Sequence, residues 1–225
     1  AAMDEEMKAI ENIMTDIKEI NKLDLSIVEG KIRGKECVLT KCGVGKVNAA
    51  RTTQILIDRY DFEYIINVGS AGAANDSLKV GDIIIGKSLV QHDFDITAFG
   101  HPKGHISNIG TYIESDALLI EKIENIQKNQ INDDYTIKIG TIASGDIFCT
   151  EEWMKNKIYN KFNADCIEME GAAIAQVCKL DNIPFLGIRA ISDTPNGKNE
   201  IQFEKFLETA SKRCSMILDK LIHLL

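Results

Sequence analysis

Two apolar, strand-like runs in this sequence end abruptly in acidic side chains. The run through Ile188 leads into Asp193, and the run through Ile167 leads into Glu168 and Glu170. Carboxylates that follow buried strands are groups from which α/β proteins build their sites. One helical segment joins the two runs, so we expect the strands to lie side by side in a parallel sheet. The sequence therefore predicts an active site in which acids could take several roles, including proton transfer.

Glu168 and Glu170 are separated by one residue, the spacing at which an extended backbone points two side chains the same way. Met169 would then point to the opposite side. A helix follows at once from Gly171, and the dipole at its N-terminus would keep Glu170 ionised and oriented. The alternative is that both acids are simply solvated at the end of a strand. We favour a functional role for the pair.

Asp193 has two neighbours that could control its carboxylate. Ser192 could orient it through a hydrogen bond, and Arg189 could hold the loop through a charge-assisted bond. The alternative is that Asp193 only caps the turn that follows it. Glu6 lies in the acidic first turn of a predicted helix, where carboxylates complement the helix dipole. That location is enough to explain an acid at this position, but it does not exclude a further, functional role for Glu6.

Two glycine-rich segments superficially resemble nucleotide-binding loops. The segment 43–47 lacks the first glycine of a phosphate loop, because position 40 is Thr, and Lys46 is followed by Val47 rather than Ser or Thr. We therefore reject a nucleoside triphosphate site. The segment 69–72 lacks the dinucleotide spacing. Its small residues would still let a ligand approach the backbone closely, although a plain tight turn is an equal alternative.

Composition and charge narrow the class of protein. A chain of 225 residues fits one large α/β domain. The formal net charge of −8 argues against nucleic acids and anionic membranes as partners. No apolar run approaches the ~18 residues of a membrane span. We recognise no N-terminal signal segment either, and we expect a cytoplasmic location.

The cysteines and histidines do not form a metal-binding pattern. The six cysteines include no Cys-x-x-Cys pair, and we expect buried thiols in a reducing compartment. His101 and His105 are four residues apart, but Pro102 between them argues against the helical face that a metal site would need. We expect no metal and no cofactor.

Strands alternate with helices from residue 36 onward, which predicts a mixed, largely parallel sheet with helices on both sides. Helices are predicted at 4–20, 48–60, 116–128, 151–160, 171–180 and 200–224. Strands are predicted at 25–28, 36–41, 64–68, 82–90, 136–143, 166–168 and 184–188. The first two strands would form a hairpin around 30–34, and the strand at 64–68 would end at the small residues 69–72. Nothing in the composition divides residues 1–225 into two domains.

Eight motifs in chain order carry a resemblance to a known family. They are MDEE at 3–6, GVGKVNAA at 43–50, NVGSAG at 67–72, VGD at 80–82, HDFDITAFG at 92–100, SGD at 144–146, EME at 168–170 and RAISD at 189–193. Together they resemble the bacterial 5′-methylthioadenosine/S-adenosylhomocysteine nucleosidases, along essentially the whole chain. The resemblance implies the nucleoside phosphorylase fold, a single three-layer α/β/α domain around a mixed, twisted central sheet.

The resemblance implies hydrolysis of the bond between adenine and a thio-substituted ribose. Asp193 matches the proton donor to adenine N7, and Ser192 would position it. Glu6 matches the residue that activates the attacking water from the other side of the ribose. Glu170 matches the carboxylate that binds both ribose hydroxyls. These roles fit a reaction through an oxocarbenium-like sugar and a departing purine.

The resemblance also implies the walls of the substrate pocket. Around the sugar and the adenine they are Met3, Ser70, Ala71, Gly72, Phe148, Cys149, Glu168, Met169 and Arg189. Of these, Met169 would pack on the sugar, Phe148 would stack on adenine, and the backbone of Cys149 would read the edge of the base. Val44 and Phe203 would line an apolar pocket for the sulfur substituent. In related dimers the segment holding Ile96, Phe99 and His101 closes the neighbouring subunit's pocket, so we expect a homodimer.

Three other functions stay open. A purine or uridine phosphorylase of the same fold would hold phosphate with arginines near the N-terminus, whereas Asp4, Glu5 and Glu6 would repel it. An aminodeoxyfutalosine nucleosidase would differ mainly in the variable part of its substrate. A non-catalytic nucleoside-binding protein would be expected to lack Asp193 or Glu6, and both are present.

This sequence departs from the family pattern at two places. Relatives carry a short apolar strand with glycine before the Ala-Met-acid motif, whereas this chain opens at Ala1, Ala2 and Met3. We expect the native polypeptide to begin further upstream. Without that strand, the sheet would lose an interior strand and Glu6 would lose its anchor. Cys149 replaces a residue that is often aliphatic, with little consequence if the backbone does the binding.

Overall fold

The computed structural model describes residues 1–129, 134–196 and 199–225. Its helices are α1 Asp4–Glu11, α2 Lys46–Ile57, α3 Ala117–Lys128, α4 Glu152–Phe162, α5 Gly171–Leu180 and α6 Asn199–Leu224. Its strands are β1 Thr15–Lys22, β2 Leu25–Ile32, β3 Lys35–Thr40, β4 Ile65–Ala73, β5 Ile83–Gln91, β6 Ile113–Glu114, β7 Ile137–Ser144, β8 Cys166–Glu168 and β9 Phe185–Asp193. A short 3₁₀ turn covers Thr97–Phe99.

The central sheet has six strands in the order β6-β5-β7-β8-β4-β9, and β9 also pairs with β5, so the sheet closes on itself. The pairs β4–β9, β5–β7 and β7–β8 are parallel. The pairs β4–β8, β5–β6 and β5–β9 are antiparallel. The mixed sheet that the sequence predicted is confirmed. The expectation that β8 and β9 are neighbours is wrong, because β4 lies between them and pairs with both.

Helices cover both faces of this sheet. One apolar core joins α1, α3 and α6 to the sheet, and a second joins α2 and α5 to its other side. The run Ile83, Ile84 and Ile85 in β5 shows why, since successive side chains of a strand point to opposite faces. Ile83 and Ile85 belong to the first core and Ile84 to the second, and all three are fully buried. This is the three-layer arrangement that the sequence predicted.

The first predicted helix is too long. Helix α1 ends at Glu11, and the second half of the predicted segment is strand β1, which pairs antiparallel with β2. Leu23 and Asp24 adopt left-handed backbone angles, with φ of 53° and 60°, and turn the chain back onto β2. The apolar spacing is compatible with a helix, but β-branched side chains fit a strand well, and pairing with β2 decides the outcome.

Two turns also lie elsewhere than predicted. Strand β2 continues through Gly30, which pairs with Cys37, and the hairpin turns at Arg33 and Gly34, both at positive φ. A two-residue turn of this kind matches the twist of an antiparallel hairpin. Strand β4 likewise continues through 69–72 instead of ending there. The small residues of β4 are therefore part of the sheet, where they lie beside the acidic side chains described below.

A cavity of about 980 Å³ lies between the three-stranded sheet β1–β3 and the central sheet. Leu39, Val68 and Ile222 are among its lining residues. The acids that the sequence singled out are not among the described residues that line it, so cavity size does not identify the site. Among the residues described, no helix combines the length and apolar character that crossing a membrane would require.

Candidate active site

Three acids from distant parts of the chain are buried around strand β4. Glu6 lies in α1, Glu170 immediately precedes α5, and Asp193 ends β9. Their exposed fractions are 3%, 7% and 1%. Burying a carboxyl group is costly unless hydrogen bonds compensate. A fold that keeps several such groups together therefore marks a candidate functional site.

The carboxylate of Glu6 accepts hydrogen bonds on both oxygens. Oε1 accepts from the backbone N–H and the hydroxyl of Ser70, at 3.0 and 3.2 Å. Oε2 accepts from the backbone N–H groups of Ala2 and Met3, at 2.8 and 3.2 Å. A Cβ at Gly69 would lie 2.8 Å from Oε1, so this approach requires glycine. Glu6 thus caps α1, as its location predicted, and also reaches β4.

The carboxyl group of Asp193 is held from two sides. Oδ1 accepts from the Ser192 hydroxyl at 2.7 Å, and Oδ2 accepts from Nδ2 of Asn199 at 2.7 Å. Burial raises the pKa of Asp193, while the bonds from Asn199 and Ser192 act in the opposite direction. The net effect raises the pKa and favours the protonated form. The predicted interaction between Ser192 and Asp193 is therefore present, and the environment suits an acid.

Glu170 titrates near neutrality. Burial, followed by repulsion from Glu168, raises the pKa of Glu170 to about 7. Its Oε1 accepts from the backbone N–H of Gly45 at 2.7 Å. The sequence predicts that the α5 dipole keeps Glu170 ionised, and burial and repulsion from Glu168 oppose that effect. Strand β8 ends at Glu168, so Glu168 and Glu170 do not lie on one extended strand. Their side chains have different hydrogen-bond partners.

Glu168 and Arg189 form a buried ion pair, with 2.6 Å between Oε2 and Nη2. Burial opposes the charge on Glu168, but Arg189 and the Ser144 hydroxyl keep the pKa of Glu168 below its usual value. Oε2 also accepts from the backbone N–H groups of Glu170 and Gly171, at 3.0 and 2.8 Å. The pair therefore fixes the backbone from which the Glu170 side chain projects.

Arg189 also contacts strand β4. Its Nη1 donates to the carbonyl oxygen of Asn67 at 3.3 Å, and its Nη2 donates to the Asn67 side chain. The sequence predicts that Arg189 holds the loop at Asp193, but the partners of Arg189 are Glu168 and Asn67 instead. The guanidinium thus links β9, β4 and the end of β8.

Replacing Arg189 with Met should lower the free energy of unfolding by about 3–5 kcal/mol, because Glu168 would remain buried without its counter-charge. Urea unfolding followed by circular dichroism measures this loss. Lys212→Met is the matched control, since it removes an exposed ion pair with Glu208 on α6 and should have no measurable effect. Equal stability of both variants would show that the Glu168 pair does not hold this part of the fold.

The proposed adenine wall consists of the segment around Phe148 and the start of α6. Phe148 is half-exposed and contacts Phe203 edge to face, with ring centroids 5.6 Å apart. Cys149 is buried, and burial raises the pKa of its thiol to about 11, so the thiol stays protonated. Val44 is half-exposed beside the loop that contacts Glu170.

The small residues of β4 lie directly beside the acids. Ser70 bonds to Glu6, and the Ala71 carbonyl accepts from the Ser192 hydroxyl at 3.3 Å. A Cβ at Gly72 would lie 3.1 Å from Oδ2 of Asp193. Of the other predicted wall residues, Met3 immediately precedes α1 and Met169 precedes Glu170, and both are partly buried.

The structure does not bring Ile96, Phe99 and His101 to the acids of the same chain. They lie after β5, where Phe99 is 82% exposed and the His101 ring stacks on His105 at 4.8 Å. This position is compatible with the expectation that the segment serves a neighbouring subunit.

The sequence does not predict four contacts in the site. Gly45, Ser144 and Asn199 bond to the acids Glu170, Glu168 and Asp193. Asn67 bonds to Arg189 instead. Asn67 had a detectable signal, since a polar amide inside a buried apolar strand is uncommon. Gly45 and Ser144 belong to the motifs at 43–50 and 144–146, but those motifs do not predict which acids the two residues contact. Asn199 had no such signal, because its partner Asp193 lies in a different element.

The chain is similar to known proteins along its length. The Phosphorylase superfamily matches residues 1–223. The 5′-methylthioadenosine/S-adenosylhomocysteine nucleosidase of Staphylococcus haemolyticus (strain JCSC1435) is 41% identical over 225 residues, covering 100% of this chain and 97% of the relative. The chain therefore belongs to the 5′-methylthioadenosine/S-adenosylhomocysteine nucleosidase family of the phosphorylase superfamily.

Solved structures agree with this assignment. A Borrelia burgdorferi B31 protein proposed to be a nucleosidase of this kind, bound to adenine, is 40% identical with a TM-score of 0.95, covering 100% of this chain and 98% of its own. The Neisseria meningitidis nucleosidase in complex with methylthio-immucillin-A is 35% identical with a TM-score of 0.95, covering 100% and 96%. The futalosine hydrolase of Helicobacter pylori strain 26695 is 31% identical with a TM-score of 0.94, covering 100% and 95%.

Proposed function

We propose that this protein hydrolyses the N-glycosidic bond of 5′-methylthioadenosine and S-adenosylhomocysteine, releasing adenine and the thioribose product. The observation that carries the proposal is the pair of buried acids beside β4, Glu6 of α1 and Asp193 of β9, which have different hydrogen-bond partners. The Asp193 environment favours a protonated acid. Glu6 accepts four hydrogen bonds from N–H and O–H donors, which fix the orientation of its carboxyl group. One acid and one base are what glycosidic hydrolysis requires.

Asp193 would supply the proton for the leaving base. As the bond between C1′ and N9 breaks, its electron pair moves into the purine and positive charge develops on the ribose. Transfer of the Asp193 proton to N7 neutralises the departing adenine. Ser192 orients the carboxyl group through its 2.7 Å bond.

Glu6 would deprotonate the attacking water. The water oxygen bonds to C1′, its proton passes to the Glu6 carboxylate, and the sugar becomes neutral again. Glu170 would bind the two ribose hydroxyls, which present donors to its carboxylate, while Met169 packs on the sugar. Phe148 and the Cys149 backbone would hold adenine.

Charge supports water over phosphate as the nucleophile. In this mechanism Glu6 would face the attacking nucleophile, and Asp4 and Glu5 add negative charge to the same helix turn. Phosphate would be repelled there. Arg189, a buried cation in the site, is already paired with Glu168.

Adenine release from 5′-methylthioadenosine, measured with and without phosphate, tests the proposed function. We expect release without phosphate, with free methylthioribose as the sugar product. Release only with phosphate, giving the sugar 1-phosphate, would make the protein a phosphorylase. An absence of release in both buffers would overturn the proposed substrate.

Aminodeoxyfutalosine hydrolysis is a second candidate, favoured by the similarity to the Helicobacter pylori futalosine hydrolase. The apolar pocket at Val44 and Phe203 would meet the part of the substrate that differs. A comparison of kcat/KM for aminodeoxyfutalosine and 5′-methylthioadenosine on the same preparation distinguishes the two. We expect the thioether substrate to be preferred.

The KM for the nucleoside should rise as the pH falls through about 7, because Glu170 has a pKa raised to about 7 and a protonated carboxyl loses acceptor strength toward the ribose hydroxyls. The Glu170→Gln variant should raise KM by about tenfold or more and should lose this pH dependence. Initial rates on either side of neutrality measure both effects. A wild-type KM that is flat across this range would contradict the role of Glu170.

We also propose a homodimer in the cytoplasm, working in methionine salvage. The exposed Phe99 and its neighbours Ile96 and His101 form a surface that a second copy could cover. Phe99→Ser should weaken the dimer and raise KM, as measured by light scattering and steady-state rates. Leu118→Ser, at an exposed leucine on α3, is the control and should change neither. A monomeric wild-type protein with full activity would contradict this assembly.

A further inference from the structure

The side chain of Asn199 joins the proposed acid to the proposed adenine wall. Its Nδ2 donates to Oδ2 of Asp193 at 2.7 Å and to the carbonyl oxygen of Cys149 at 3.0 Å. Asn199 is the first residue of α6 and is fully buried. Both neighbours are acceptors, so they determine which end of the amide faces them.

The other end of the same amide is its carbonyl oxygen, Oδ1. Oδ1 of Asn199 is buried without a hydrogen bond to any residue that the structure describes. Leaving a buried carbonyl oxygen unpaired is costly, and such a group calls for an explanation. A residue kept only for packing would not need the amide. The unpaired Oδ1 is explained if Asn199 is needed for the two hydrogen bonds that its Nδ2 donates, to Asp193 and to Cys149.

The first turn of α6 reaches the adenine wall at two points. Phe203 lies four residues after Asn199, which places both side chains on one face of the helix. Asn199 contacts the Cys149 carbonyl, and Phe203 contacts the Phe148 ring. Movement of this turn would therefore shift the wall and the acid together.

We propose that Asn199 is a positioning residue for the reaction, which locks the Asp193 carboxyl to the adenine-binding segment and keeps its proton off the oxygen lone pair facing α6. The proposal rests on the proposed function. An amide N–H can only donate, so it disfavours a proton on the lone pair that it occupies. The Ser192 hydroxyl can donate or accept, and its own proton can go to the Ala71 carbonyl, 3.3 Å away.

Several groups around Asp193 act on its pKa, and the contribution of Asn199 can be distinguished from theirs. Ser192 bonds to Oδ1, Glu200 on α6 adds a negative charge, and the Cys149 thiol is neutral over the working range. Burial and Glu200 raise the pKa of Asp193, whereas Asn199 and Ser192 lower it. Removing Nδ2 should therefore raise this pKa further.

The test compares Asn199→Ala and Asn199→Asp with a matched control, Gln202→Ala. Both Asn199 variants should lower kcat about tenfold through loss of alignment and should move the basic limb of the kcat profile to higher pH. The aspartate variant keeps the side-chain size and should move it further, because two acids then face each other. Gln202 accepts from the Thr194 backbone N–H at 3.2 Å without touching Asp193, so its variant should keep the wild-type limb.

A second readout does not depend on turnover. The Asp193 carboxyl carbon, assigned through its loss in Asp193→Asn, is titrated by NMR in the wild type and in both Asn199 variants. Its midpoint should rise in both variants. Unchanged midpoints and an unchanged basic limb would reduce Asn199 to a structural residue. If the midpoints rise in both variants but the wild-type protein releases no adenine, the positioning role of Asn199 stands and the proposed function is refuted.

Discussion

Asp193→Asn should reduce adenine release about 10³-fold, while 5′-methylthioadenosine still binds. The amide keeps the size of the side chain but has no acidic proton for N7, so the purine would depart as an anion. Steady-state adenine release measures the loss, and calorimetry with the substrate measures binding. Asp219→Asn is the control, since that aspartate pairs with Arg33 on the surface, and its turnover should equal the wild type.

A substrate with a different leaving group separates an acid from a merely structural aspartate. In a 5-thioriboside of 4-nitrophenol, the leaving group is 4-nitrophenolate. This anion is stable and needs no proton to depart. The Asp193→Asn variant should therefore hydrolyse it nearly as fast as the wild type does. An equal loss on both substrates would show that Asp193 holds the fold of the site instead of protonating the base.

Glu6→Gln should also reduce hydrolysis by about 10³-fold, for the opposite reason. Without a carboxylate, no group is placed to take the proton from the attacking water. The substitution also removes acceptors for the N–H groups of Ala2 and Met3 or for Ser70, so stability must be measured with it. Adenine release together with thermal unfolding separates a lost base from a lost fold.

Rescue of activity by an added anion is a second test of the role of Glu6. In Glu6→Ala the space of the carboxylate is free, and azide can attack C1′ without giving up a proton. Adding azide should restore adenine release and yield a glycosyl azide. The same addition to Asp193→Ala should restore nothing, because the leaving base still lacks its acid. Full activity of Glu6→Gln in phosphate-free buffer would remove Glu6 from the mechanism.

Local patterns in the sequence were enough to predict most of the elements. The predicted helix 171–180 coincides with α5, and the consecutive Ile83, Ile84 and Ile85 indicated a strand covered on both faces. These succeed because side-chain period and turn residues depend on a few neighbouring positions. The same reasoning failed for β1, where apolar spacing fits a helix and only pairing with β2 makes it a strand.

The acids proposed for the site could likewise be named from the sequence, because Asp193 and Glu170 follow apolar runs and Glu6 belongs to a recognisable motif. Their partners could not. Only the tertiary structure placed β4 between β8 and β9, paired Arg189 with Glu168, and brought Asn199 against Asp193. It also decided that Glu170 titrates near 7, since a pKa depends on burial and on charges brought together from distant parts of the chain. The sequence by itself determined which groups are available for chemistry, and packing determined which of them meet and in which protonation state.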